Sequence, residues 1–122
     1  MIDKVNLAKA FSTIDDHWNP RVAGDINDFQ VKLVKLAGKF DWHHHEVEDE
    51  LFLVVAGRMK MAFRDRDVIV EAGEFIIVPH GTEHCPEALD GECQVLLLEP
   101  NSTLNTGNVQ TEKTRNTLER LD

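Results

Sequence analysis

Histidines crowd one stretch of this chain: five of the six lie between positions 43 and 84. In Trp42-His43-His44-His45-Glu46-Val47-Glu48-Asp49-Glu50, an extended backbone sends residues two apart to the same side. His43 and His45 then project together and His44 projects away. Two imidazoles on one face are a natural start for a transition-metal site. The acidic stretch Glu46–Asp49 lets the chain reverse, and Glu50 opens the following strand, where its carboxylate can reach the same point. His84, after the Pro79-His80-Gly81 turn, can supply a third imidazole. Three neutral imidazoles and a carboxylate suit Fe, Mn, Co, Ni, Cu or Zn and leave coordination positions open for water or substrate, which is what a catalytic metal needs. Read alone, any one of these histidines is better explained as a surface or hydrogen-bonded side chain than as a ligand. Glu50, if loosely ligated, is also the residue to move a proton.

The elements that must position these residues are strands. Phe29–Leu36 alternates, with Phe29, Val31 and Leu33 on one side and Gln30 and Lys32 on the other. Phe40–His45, Leu51–Ala56, Arg58–Phe63, Val68–Val70, Phe75–Val78, His84–Ala88 and Cys93–Glu99 follow, separated by Gly- and Asp-containing turns. About eight short strands without interleaved helices predict an all-β sandwich or barrel. Glu50, Phe52 and Val54 share a face, so Phe52 and Val54 are expected near the metal; Met59, Met61 and Phe63 are candidates for the apolar pocket lining. Either Phe75 and Ile77 or Ile76 and Val78 complete it, depending on register. Trp42 and His44 should point away, His80 and Glu83 fall at turns near the mouth, and Glu46, Glu48 and Asp49 read as a solvated loop.

The chain has 122 residues, enough for one core and too few for two. Expected boundaries are an N-terminal arm over 1–27 with a short helix at Asn6–Phe11, a barrel core over about 28–100, and a polar C-terminal tail over 101–122 in which Thr111–Leu121 admits a short helix. Thirteen Lys and Arg are scattered among twenty-two acids for a net charge of -9, which argues against nucleic acid and anionic membrane as partners. No secretory signal or membrane-length apolar run is visible, so the expected location is cytoplasmic. Cys85 and Cys93 form no CxxC pair and read as free thiols, with Cys85 of added interest beside His84.

These residues resemble the cupin superfamily. Its first motif, G-x5-H-x-H-x3,4-E-x6-G, is met by His43, His45, Glu50 and Gly57, with Gly38 one residue too close. Its second, G-x5-P-x-G-x2-H-x3-N, is met by Gly73, Pro79, Gly81 and His84, with Ala88 in place of the Asn. The stretches DELFLVVAGRMKMAF, GEFIIVPHGTEHCPEA and VLLLEPNSTLNTGN look like small single-domain cupins of the Cupin_2 type, some described as mannose-6-phosphate isomerase-like. The resemblance implies a double-stranded β-helix (jelly-roll) barrel, frequent homodimers, and one divalent transition metal (Fe, Mn, Ni, Zn or Co) held by His43, His45, Glu50 and His84. The expected function is a metal-dependent enzyme on a small organic substrate, of oxygenase or isomerase type; the alternative is a non-catalytic small-molecule- or metal-binding module. A sugar phosphate fits less well, because Lys39, Arg58 and Lys60 form no convergent phosphate-binding set.

Overall fold

A computed structural model describes residues 2–122. One short helix, α1 (Leu7–Ser12), precedes six strands: β1 (Arg21–Ile26), β2 (Phe29–Leu36), β3 (Glu50–Phe63), β4 (Asp67–Glu71), β5 (Phe75–Val78) and β6 (His84–Pro100). They form one antiparallel sheet in the order β1-β2-β6-β3-β4, with β5 paired to β3. This is a β-sandwich of the jelly-roll kind.

Two long strands carry the architecture. β3 spans 14 residues and β6 spans 17, where alternating sequence segments suggest two strands each. Gly57 and the Asp90-Gly91 pair, which look like turns in the sequence, bend continuous strands. Gly57 has φ +85°, and a Cβ there would lie 2.7 Å from the Glu92 carbonyl oxygen, so the two bent strands approach too closely for any side chain at that point. Register shifts between Val54 and Arg58 absorb the bend. The first half of β3 pairs with β5 and the second half with β4, while β6 backs both.

Alternation along these strands sorts side chains into two clusters. Inside the barrel lie Val34, Leu36, Phe52, Val54, Met59, Met61, Val70, Val78, Ala88, Cys93, Val95 and Leu97, with Phe63 and Ile76 packed against them. Ile76 and Val78 therefore face inward, and Phe75 and Ile77 are exposed. Outside, α1 covers the back of the sheet: Phe11 and Ile14 pack on Ala23 and Leu33. Six residues are too few for a helix to hold itself. Asn6 caps α1 by accepting the Lys9 amide at 3.0 Å, and burying Phe11 contributes about 2 kcal/mol.

Three segments depart from the sequence reading. Phe40–His45 is not a regular strand; in place of a ladder, isolated bridges at Lys39↔Glu87, just before it, and at His43↔His84 tie it to β6. Arg21–Ile26, assigned to the arm, is strand β1, obscured in the sequence by Gly24 and an adjoining register shift. Thr111–Leu121 forms turns rather than a helix. There Thr and Asn side chains bond the backbone instead: Thr114 Oγ1 accepts the Thr111 amide and Asn105 Oδ1 accepts the Arg115 amide.

Candidate metal centre

His43 and His84 are held opposite each other by a reciprocal backbone pair: the His43 amide donates to the His84 carbonyl at 3.1 Å, and the His84 amide to the His43 carbonyl at 2.9 Å. The His45 carbonyl accepts the Gly81 amide at 2.7 Å, so the turn residue expected to present His84 also anchors His45. Glu50, first residue of β3, points into the barrel beside Phe52.

The structure brings together the four residues His43, His45, Glu50 and His84, all buried, with one ligand atom of each within 4.8 Å of every other. His45 Nε2 and His84 Nε2 lie 3.0 and 3.1 Å from the same Glu50 oxygen. Ring centroids are 4.3 Å apart for His43–His84 and 5.0 Å for His43–His45.

The tautomers follow from the outer bonds. His43 Nδ1 lies 2.9 Å from the Asp41 carbonyl oxygen and His84 Nδ1 lies 2.8 Å from that of Thr82. A carbonyl only accepts, so both Nδ1 atoms carry the proton, and in the neutral rings Nε2 presents a lone pair inward. Burial, then the nearby His84, pushes His43 down to about 4, so it is neutral near pH 7. Burial alone would raise Glu50, but the His45 and His84 rings beside it hold the carboxyl well below its usual range. With Nδ1 protonated, the neutral His43 ring turns its Nε2 lone pair into the same buried pocket as the Glu50 carboxylate, and His45 Nε2, although near Glu50, has no aligned hydrogen-bond partner. A divalent cation at the common point satisfies every one of these atoms, so the residues present fit a transition metal.

Beside the cluster lies a cavity of ≈ 40 Å³ lined by Trp18, Pro20, Val34, Leu36, Phe40, His43, Glu50, Phe52, Pro86, Leu97 and Asn105. Of the expected lining residues, Phe52 reaches it; Val54, Met59 and Met61 are packed core and Phe63 is partly buried against that core. Trp18 stacks on Phe40 at 4.6 Å and donates its indole N–H to the Ala37 carbonyl, so the N-terminal arm supplies one wall. Arm and tail contributions (Trp18, Pro20, Asn105) carry no period that a strand pattern reveals.

The remaining residues singled out from sequence lie elsewhere. His44 turns away and bonds Glu46 at 2.6 Å, while Trp42 lies under the Arg64 guanidinium at 3.8 Å. His80 bonds Asp49 and Glu83 bonds Arg64, all on the exposed surface. Cys85 donates to the Phe40 carbonyl at 3.2 Å, and burial raises its thiol, which makes it inert. Cys93 is buried in the core and pushed up to about 11 by burial. Both cysteines are free. Arg58 pairs with Asp90 and Lys60 with Glu87, and the cavity lining contains neither Lys nor Arg.

Sequence reasoning missed an ion pair. Lys32 Nζ donates to Glu99 Oε1 at 2.9 Å, with both side chains only 2% exposed. The one available signal was that Lys32 shares its face with Val34 and Leu36, which point into the barrel.

Residues 31–99 match the Cupin domain family, Cupin_2, and the chain belongs to that family. It is similar to the uncharacterised protein YdbB of Bacillus subtilis, 35% identical over 79 residues that cover 64% of this chain and 69% of YdbB. Among solved structures, a cupin-2 domain protein of Shewanella frigidimarina is 43% identical with a TM-score of 0.77, over 80% of this chain and 94% of that one. A Neisseria meningitidis protein is 30% identical with a TM-score of 0.74, over 81% of this chain and 100% of that one. The chain thus combines a cupin fold with a buried His/His/Glu/His cluster that could hold a metal.

Proposed function

We propose that His43, His45, Glu50 and His84 hold one divalent transition metal (Fe, Mn, Ni, Zn or Co) and that the chain is a metal-dependent enzyme acting on a small organic substrate. The observation that carries this reading is the convergence of four buried donors whose lone pairs face one another with no cation of the protein among them. When bound, the metal would supply Lewis acidity or, if Fe or Mn, redox chemistry.

The chain's own residues shape the rest. Asp41 and Thr82 carbonyls fix the His43 and His84 rings. Trp18, Phe40, Phe52 and Leu97 make the wall beside the cluster apolar and favour an apolar substrate body. The absence of Lys and Arg from this lining disfavours a sugar phosphate. Glu50, held ionised, serves as a ligand first and accepts only a proton already made acidic in the site. Two free cysteines suit the cytosol, the compartment proposed here. A homodimer is also proposed, on the exposed apolar outer face of β5.

Metal analysis of purified variants tests the ligand set. His43→Ala and His84→Ala should lose most bound metal while the barrel folds; His44→Ala should keep it. Loss in His44→Ala with retention in His43→Ala would reject this register. Metal-free protein should then be reconstituted separately with Fe(II), Mn(II), Ni(II) and Zn(II). Diketones, phenolics, thiols and sugars are screened with and without oxygen. Turnover needing Fe(II) and oxygen supports an oxygenase; turnover without oxygen supports an isomerase. Tight ligand binding without product across the screen replaces the enzymatic reading with a binding module.

A further inference from the structure

Trp18 lies in the N-terminal arm with its backbone in the left-handed region, at φ +59°. A bulky side chain adopts that conformation only where its surroundings impose it, and such strain gathers at functional sites. The strained residue is also a wall of the cavity beside the candidate ligands, which Trp18 and Pro20 line together with Phe40, Phe52, His43 and Glu50. Trp18 stacks on Phe40 at 4.6 Å, and Phe40 meets the His43 ring edge-on at 5.3 Å. One ring therefore separates the arm from a candidate metal ligand.

This wall is tied in place. The Trp18 amide donates to the Lys35 carbonyl at 2.9 Å, and the indole N–H donates to the Ala37 carbonyl at 2.8 Å. Before it in the chain, His17 Nε2 lies 2.7 Å from a Glu92 carboxylate oxygen. After it, Arg21 pairs with Asp16 at 3.1 Å and donates to the Asn19 carbonyl at 2.7 Å. Pro20, with its fixed φ, stiffens the turn further. Swinging the indole aside would break the bonds that hold the strained backbone. The space left beside it is ≈ 40 Å³. About 10–15 Å³ admits one water and about 150 Å³ admits a benzene ring, so this cavity takes about three heavy atoms and no ring.

We propose that Trp18 is a specificity-determining residue: it confines the ligand body beside the metal centre to a short acyclic one, such as a small carboxylate, carbonyl compound or thiol, and excludes rings. This rests on the metal-binding reading and narrows its substrate class. Trp18 also packs against the barrel core. A residue that served only as packing would change stability when shortened and leave ligand preference alone.

The test uses full-length, metal-free protein loaded with Co(II), then titrated with acetate and with benzoate and followed by ligand-field absorption. The two acids share a donor group and differ in body size. Acetate should perturb the bands of the unaltered protein and benzoate should not. In Trp18→Ala, the affinity for benzoate relative to acetate should rise by about tenfold or more, the scale on which apolar pockets discriminate size. Met61→Ala is the control, since Met61 is buried in the same core but does not line the cavity. It should unfold at lower temperature and still refuse benzoate. Unaltered protein that takes benzoate as well as acetate, or takes neither, overturns the inference. So does a Trp18→Ala variant with unaltered preference, or a Met61→Ala variant that gains benzoate equally. If Trp18→Ala does not fold, Trp18→Leu decides by the same ratio. Failure of the unaltered protein to take up Co(II) sinks the metal-binding reading and this inference with it, whereas uptake with an unaltered preference in the variant sinks only the role of Trp18.

Discussion

Three imidazoles crowded around one carboxylate, out of reach of water, make the metal-free barrel sensitive to acid. His43 is held near 4 by burial and by His84, against 6.5 for the free side chain. The unfolded chain therefore binds more protons than the folded one between these values, and stability falls as pH drops through that window. His43 contributes its full share above about pH 6.5 and loses it toward pH 4; a shift of this size amounts to roughly 3 kcal/mol. Glu50, depressed as well, acts in the same sense at lower pH. Urea unfolding of metal-free protein should show a loss of about 2 kcal/mol between pH 7 and pH 4.5, and His43→Gln should flatten the profile. Equal stability of the unaltered protein at both pH values would mean that His43 is not a buried neutral ring.

At the scale of elements, the tail does more than a polar sequence suggests. The Asn108 amide donates to the His44 carbonyl at 3.0 Å, and Asn108 Oδ1 accepts the His44 amide at 2.8 Å. Thr111 donates to Asp41, whose carbonyl orients the His43 ring. Gly107, at φ +58°, sits under this segment: a Cβ there would collide with the His44 carbonyl oxygen and lie 3.1 Å from His43 Cδ2. Gly107→Ala should therefore destabilise the protein by about 1–3 kcal/mol and weaken metal binding. Gly24→Ala, where nothing lies within 4 Å, should do neither and serves as the control. Unaltered metal content and unfolding temperature in Gly107→Ala would show that the tail does not hold the histidine segment. The sequence could not disclose this strap, because its contacts are isolated backbone and side-chain bonds without period. Period-two alternation did carry the bounds of β2 and the inward set Glu50, Phe52 and Val54. It brought His43 and His45 to one side although no regular strand forms there, since pairing with the His84 segment keeps the backbone extended. It failed at Gly57 and Asp90-Gly91, where a bend and a turn share the same residues, and at Lys32, whose inward direction conflicts with the ordinary rule that charges face water.

For the whole molecule, the question is what covers the outside of the barrel. The back of β1, β2 and β6 is covered by α1, but β5 has no such cover. Phe75 and Ile77 are 60% and 54% exposed, and Ile69 on β4 is 45% exposed. Register sets Phe75 beside Leu53 and Ile77 beside Leu51, with Leu98 next across β6, so the apolar row runs across three strands. Side chains alternate, so Ile76 and Val78 point into the core and the exposed pair can be changed without touching it. A row of this kind at a strand paired on one side only invites association of like copies. A stable pairing needs about 800 Å² from each partner, which the row can supply only if neighbouring β3 and β6 side chains join it. Sedimentation equilibrium at micromolar concentration should give twice the chain mass of 13.9 kDa. Phe75→Glu/Ile77→Lys should give the single-chain mass while retaining metal, because the substituted side chains lie on the face opposite the histidines. Unaltered protein sedimenting as a single chain would remove the dimer. A double variant that remains paired would move the contact to another surface, with Ile26 and Phe29, 55% and 41% exposed, as the next residues to change.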